Sequence, residues 1–173
     1  MHSTATPCRR RLLAGNVLGM TIDATAVAEG LLRTVPFART IGITFTEITA
    51  DAEGVRAVAA LPDDPAVHNH VGGPHAGAMF TLAETASGAI VLAAFGDQLH
   101  RATPLAVRAG IAYQKLAMGV VTATATLSRP PADIVAELDA GQRPEFEVAI
   151  VIANAAGVTT GEMTITWTLR PNR

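Results

Sequence analysis

A chain of 173 residues is long enough for one ordinary domain to bury a core without disulfides or a structural metal. A formal charge of −2, with no dense Lys/Arg cluster interleaved with aromatics, excludes an electrostatic case for nucleic acid. Hydrophobic residues at 49% against 16% charged predict apolar surface buried on a second copy, and a single cysteine, Cys8, points to a reducing, cytoplasmic setting.

Residues 1–22 carry no sustained period and are expected to form a loose arm before a single domain over 23–173. Arg9, Arg10 and Arg11 precede the run LLAGNVLGM, and Ala24-Thr25-Ala26 has the small residues of a cleavage site. Gly15, Asn16 and Gly19 interrupt the run and argue against export. Asp23 is the expected N-cap of a helix reaching about Val35, with Val27, Leu31 and Val35 on one face and Pro36 as the stop. Ile41, Ile43 and Phe45 then share one side of a first strand, and Asp51 to Gly54 turns into a second from Val55 to Leu61. Pro62 and Pro65 end that hairpin and open a polar loop, HNHVGGPH, over residues 68–75.

From Ala76 to Gly96 the only charged side chain is Glu84. The segment has the length to span a bilayer, but a charge at its centre opposes insertion by about 3 kcal/mol. A buried helix in a soluble fold, with no membrane partner, is the expectation. A lone carboxylate there is expensive unless hydroxyls such as Thr81 or Ser87 satisfy it or chemistry uses it.

Pro104 opens a strand through about Leu116, with Leu105, Val107, Ala109, Ile111 and Tyr113 on one side. Val121, Ala123, Ala125 and Leu127 alternate with Thr122, Thr124, Thr126 and Ser128 in the clearest period-two run of the chain. A short helix, Ile134 to Leu138, interrupts before Phe146, Val148, Ile150 and Ile152 resume the alternation. Asn154 to Gly157 turns into a last strand through Met163, Ile165, Trp167 and Leu169. Helix, two strands, long apolar helix and four strands make an α+β chain. The sheet must cover its apolar face, and the central helix must be surrounded. A six-stranded antiparallel sheet curved around that helix, with the N-terminal helix as an addition, satisfies both.

This arrangement resembles the hotdog fold, and the loop and helix narrow the likeness. Asn69 six residues before His75, Gly77 two beyond it and Glu84 nine beyond it resemble the motif of hotdog thioesterases of the phenylacetate-degradation type, although Ala76 stands where that motif has its first glycine. The resemblance covers about Phe37 to Arg170. It implies a homodimer, open to pairing into a dimer of dimers, that hydrolyses acyl-coenzyme A at sites shared between two chains, without a cofactor or metal. Glu84 is then the general base or the nucleophile, Asn69 holds the water or the carbonyl, and His75 shapes the loop. N–H groups of Ala76 and Gly77 at the helix start would meet the developing oxyanion. Glu84 lies about 10 Å or more further along the same helix, so an antiparallel partner helix would have to bring it to its neighbour's loop.

Arg108, Lys115 and Arg129 are candidates for the phosphates of coenzyme A, with solvated surface charge as the plainer account of each. His68, His70 and His75 with Glu84 match no usual zinc spacing, so no metal is expected. Two other functions fit the same architecture. Hotdog dehydratases of hydroxyacyl thioesters have a histidine and a helix acid fourteen residues apart, as His70 and Glu84 are, and a non-catalytic acyl-thioester binder would need only the pocket.

Overall fold

The computed structural model describes residues 16–17 and 20–172. Cys8, Arg9, Arg10 and Arg11 lie outside the described residues, as does most of the expected arm. Two short strands, β1 (Asn16–Val17) and β2 (Met20–Thr21), pair antiparallel. Asp23 caps α1 (Ala24–Thr34), its carboxylate accepting from the Thr25 and Ala26 amides at 3.0 and 3.1 Å. Ala24, Ala28 and Leu31 form the buried face of α1, whereas Val27 is only half-buried. Pro36 does more than stop this helix. Its fixed φ and missing N–H suit a first helical position, and it opens a second short helix, α2 (Pro36–Thr40).

The sheet contains β3 (Thr44–Asp51), β4 (Gly54–Leu61), β5 (Ala102–Tyr113), β6 (Val121–Leu127), β7 (Glu145–Asn154) and β8 (Thr159–Pro171). Its order is β3-β4-β6-β7-β8-β5, antiparallel throughout. The central helix α3 (Ala76–Phe95) packs on the concave side of this sheet, and this is the hotdog arrangement. α4 (Pro131–Asp139) lies between β6 and β7 and is longer than the sequence pattern indicates.

Small inward residues on the central strands, Ala57, Ala59, Ala123 and Ala125, are fully buried and let α3 approach the sheet. Larger ones on β7 and β8, including Phe146, Ile150, Ile165 and Leu169, fill the remaining depth. On the opposite side of α3, Gly88 admits α1. A Cβ at Gly88 would sit 3.5 Å from a Leu31 methyl. By length and composition Ala76–Gln98 could cross a membrane, yet most of it is buried within the fold.

Two strands depart from simple alternation, each at a bulge. In β3 the pairing shifts between Phe45 and Glu47, so Phe45 faces inward with Ala59 while Ile48 and Ala50 face inward further along. In β5 it shifts between Ala106 and Arg108. Ala109 and Ile111 therefore pair with inward-facing Ile165 and Met163, while Leu105 pairs with Thr168 on the other face. The side expected to hold Leu105, Val107, Ala109, Ile111 and Tyr113 together is thus divided. Among the described residues β5 is also an edge strand, paired only with β8, and Pro104 is tolerated there because one side of the strand needs no donor.

Candidate active site

The loop before α3 is closed by its own asparagine. Asn69 Oδ1 accepts from the Val71 amide at 2.9 Å and the Gly73 amide at 3.4 Å, and its Nδ2 donates to Pro74 O at 3.1 Å. Its backbone N–H donates to Gly73 O at 2.8 Å. Asn69 can make little more than one further hydrogen bond, through its second amide proton. His68 Nε2 lies 2.8 Å from Asp63 Oδ1 at the outer side of the loop, and His70 is exposed at its tip. The His75 N–H donates to Val67 O at 2.8 Å, fixing the chain as it enters the helix.

His75 is the N-cap of α3. Its Nδ1 accepts from the Gly77 N–H at 3.0 Å, which satisfies one of the donors a helix leaves open at its first turn. The carbonyl of the same peptide, Ala76 O, accepts from the Tyr113 hydroxyl at 2.8 Å. The Ala76–Gly77 peptide is therefore held at both ends, by a loop side chain and by a strand side chain. Gly73 secures the loop to the segment after β5. A Cβ there would lie 2.2 Å from Ala117 O, so no larger residue fits without moving backbone.

Glu84 sits two turns along α3, about 12 Å from Ala76 at the rise of an α-helix. It is half-buried, and this burial raises its carboxyl above the usual carboxylate range. Neither Thr81 nor Ser87 satisfies its carboxylate. The Thr81 hydroxyl donates to Gly77 O at 2.9 Å, and the Ser87 hydroxyl donates to the Glu84 backbone oxygen at 2.7 Å. Ser87 Oγ in turn accepts from Trp167 Nε1 at 3.2 Å, linking helix to sheet through the core. Next to Glu84, the buried Thr85 hydroxyl has no partner among the described residues.

A cleft of about 410 Å3 opens beside the helix start, lined by Asn69, Pro74, Ala76, Met79 and the segment from Tyr113 to Ala117. It brings Asn69, Ala76 and Lys115 together. Glu84 does not line it, and neither does Arg108, which is exposed on β5 with Nη2 donating to Thr166 Oγ1 at 3.4 Å. Arg129 borders a different cleft, between the β3–β4 turn and the start of α4, and is ion-paired with Glu137. Among the described residues no three His, Cys, Asp or Glu side chains gather as a metal-binding group.

In the sequence Tyr113 is only a strand residue. Its contact spans 37 positions, and no local spacing signals it. Ser87 sits between Glu84 O and Trp167 instead of at the Glu84 carboxylate, a place that depends on helix-to-sheet packing 80 positions apart.

An antiparallel sheet folded around one central helix, entered through a glycine-rich loop, defines a hotdog-fold protein. The chain belongs to the family described as a domain of unknown function, DUF4442, whose model matches residues 23–169. No curated protein matches it. Solved structures share the fold. A Pseudomonas aeruginosa protein of unknown function described as "probable thioesterase" is 20% identical, with a TM-score of 0.76, covering 87% of this chain and 97% of that one. A mutant thioesterase from the same organism is 21% identical, with a TM-score of 0.64, over 84% and 94% of the two chains. A thioesterase family protein from Silicibacter pomeroyi is 17% identical, with a TM-score of 0.63, over 86% and 99%.

Proposed function

We propose that this protein is a thioesterase that hydrolyses acyl-coenzyme A in the cytoplasm, at sites shared between the two chains of a homodimer. The observation that carries the reading is Glu84: a half-buried acid with a raised pKa on the central helix, in sequence register behind Asn69, His75 and Gly77. The names of the structural neighbours support the same chemistry. An edge strand with one side unpaired among the described residues, and exposed Val107 and Tyr113, suits a second copy.

In this mechanism Glu84 of one protomer takes a proton from water as the water attacks the thioester carbonyl held against the other protomer's loop. The carbonyl oxygen becomes an anion and is met by N–H groups at Ala76 and Gly77. Collapse breaks the carbon–sulfur bond, releasing the acid and the thiol, with the proton returned from Glu84. Direct attack by Glu84, giving an anhydride that water then opens, uses the same groups. Because His75 Nδ1 occupies the Gly77 N–H, the oxyanion would replace the imidazole as acceptor. Asn69, mostly committed to its loop, has one amide proton for water or carbonyl. Lys115 is the cation best placed for the coenzyme, since it shares the cleft with Ala76.

The test is thiol release from acetyl-, long-chain and aromatic acyl-coenzyme A by the wild-type protein and by Glu84→Ala. Release that depends on Glu84 supports hydrolysis, and undiminished release by a folded Glu84→Ala protein removes it. Hydroxyacyl and enoyl thioesters, followed by double-bond absorbance, separate a dehydratase using His70. Saturable binding without release by either protein identifies a non-catalytic binder.

A further inference from the structure

We propose that Tyr113 is a positioning residue for the hydrolysis, acting through the Ala76–Gly77 peptide to aim and strengthen the Gly77 N–H as an oxyanion donor. The proposal rests on the thioesterase reading and assigns the site a residue from the edge strand.

A peptide unit is planar and conjugated, so its carbonyl and its N–H move and polarise together. The Tyr113 hydroxyl donates to Ala76 O at 2.8 Å, and the N–H of that unit is Gly77's. Donation to the carbonyl withdraws electron density from the amide nitrogen and makes its proton a better donor, as in any hydrogen-bonded chain. It also opposes tilting of the plane at the open first turn of α3, where Gly77 has no side chain to hold it.

The two contacts on this peptide differ in kind. His75 is exposed, and its ring can give up the Gly77 N–H to an incoming oxygen by rotating. Tyr113 is carried by a stiff strand end. The next two amides, Gln114 and Lys115, both donate to Thr160 O, at 2.9 and 3.1 Å, and the Thr160 hydroxyl is itself buried against Ile152 O. The imidazole is thus the exchangeable partner and the phenol the fixed one. Tyr113 also lines the cleft with Asn69, Ala76 and Lys115, so its contact is made at the wall where a thioester would lie. Desolvation raises its pKa above 10, which keeps it a proton donor wherever thioesters survive in water.

The experiment compares wild type with Tyr113→Phe, which removes only the hydroxyl from a side chain that is 48% exposed. Two readouts are taken, the 1H–15N resonance of the Gly77 amide and the kcat and KM for thiol release from acyl-coenzyme A. The proposal expects the Gly77 resonance to move and kcat to fall about tenfold with KM nearly unchanged, a fraction of the 10²–10³ typical for losing an oxyanion donor outright. A thermal transition within a few degrees of wild type would accompany this. An unmoved Gly77 resonance overturns the proposal. So does an active wild type whose Tyr113→Phe variant keeps its kcat, or loses only KM. If the wild type releases no thiol from any acyl-coenzyme A, the thioesterase reading fails first and takes this role with it.

Discussion

His75 Nδ1 lies 3.0 Å from the Gly77 nitrogen, so the helix bearing the candidate acid is capped by the imidazole of the residue immediately before it. Histidine is an unusual choice for this task, which serine, threonine, aspartate and asparagine perform more often. His75→Ala should cost about 1 kcal/mol of unfolding free energy. His75→Asn should recover most of it, because a shorter acceptor can reach the same Gly77 amide. Urea titrations of the three proteins check this. Equal midpoints for His75→Ala and wild type would show that the cap contributes nothing.

If Glu84 acts as proposed, it should tie activity and stability to pH in opposite directions. Its carboxyl is raised in the folded protein by desolvation, so between the unfolded value near 4.5 and the folded value the native state holds more proton than the unfolded one. Stability therefore declines as pH rises through that window, and the penalty is absent below it. On the proposed mechanism activity needs the ionised form and should rise through the same raised pKa. Glu84→Gln should abolish hydrolysis while becoming more stable than wild type as pH increases from 4 to 8. Thermal scans and thiol release across that range measure both limbs. A stability difference that is flat with pH, or of opposite sign, contradicts the desolvated carboxylate.

Gly73 is needed for space and not for a left-handed conformation. Gly73→Ala puts a methyl against the Ala117 carbonyl oxygen, which is backbone and cannot rotate away, and 3.1 Å from Met118 Sδ. The change should cost about 2–3 kcal/mol as an overpacking defect. It should also shift the segment that carries Lys115 and Leu116, raising KM for acyl-coenzyme A more than it lowers kcat. Gly72, at φ 79°, has open space around it, and Gly72→Ala should cost less through backbone strain alone. Denaturation and steady-state kinetics on both variants test the contrast.

Buried hydroxyls on neighbouring positions of α3 should behave oppositely. Ser87→Ala strands Trp167 Nε1 without its acceptor and should destabilise by about 1–3 kcal/mol. Trp167 is the single tryptophan, so its emission reports the change directly. Thr85→Val removes a hydroxyl that is buried without a partner, and should be neutral or stabilising by up to about 1 kcal/mol.

The elements that alternate cleanly were legible in the sequence because one rule governs them. Val121 to Leu127 and Phe146 to Ile152 keep a single phase, and their inward residues are the buried ones, with Leu127 at the strand end only half-buried. The long helix was legible from Glu84 standing alone among apolar residues. β3 and β5 are present where the sequence expects strands, but their facing was not legible, because a bulge in each moves the inward set from one parity to the other, and a bulge at Thr46 or Val107 leaves no mark in hydropathy. In the loop, the sequence singles out Asn69, His75 and Gly77 as candidates but does not show how their polar groups are engaged. Asn69 spends most of its hydrogen bonds on Pro74, Val71 and Gly73, and His75 spends one on Gly77. The contacts of Tyr113 with Ala76 and of Gly73 with Ala117 join distant segments that only the register of the sheet brings together.

Because α3 is walled by sheet on one side and by α1 on another, most of its positions are closed to change without repacking the interior. The exposed segments around Val71 and Leu116 carry no such constraint, so substitutions there can reshape the rim of the cleft while the helix and its scaffold stay still.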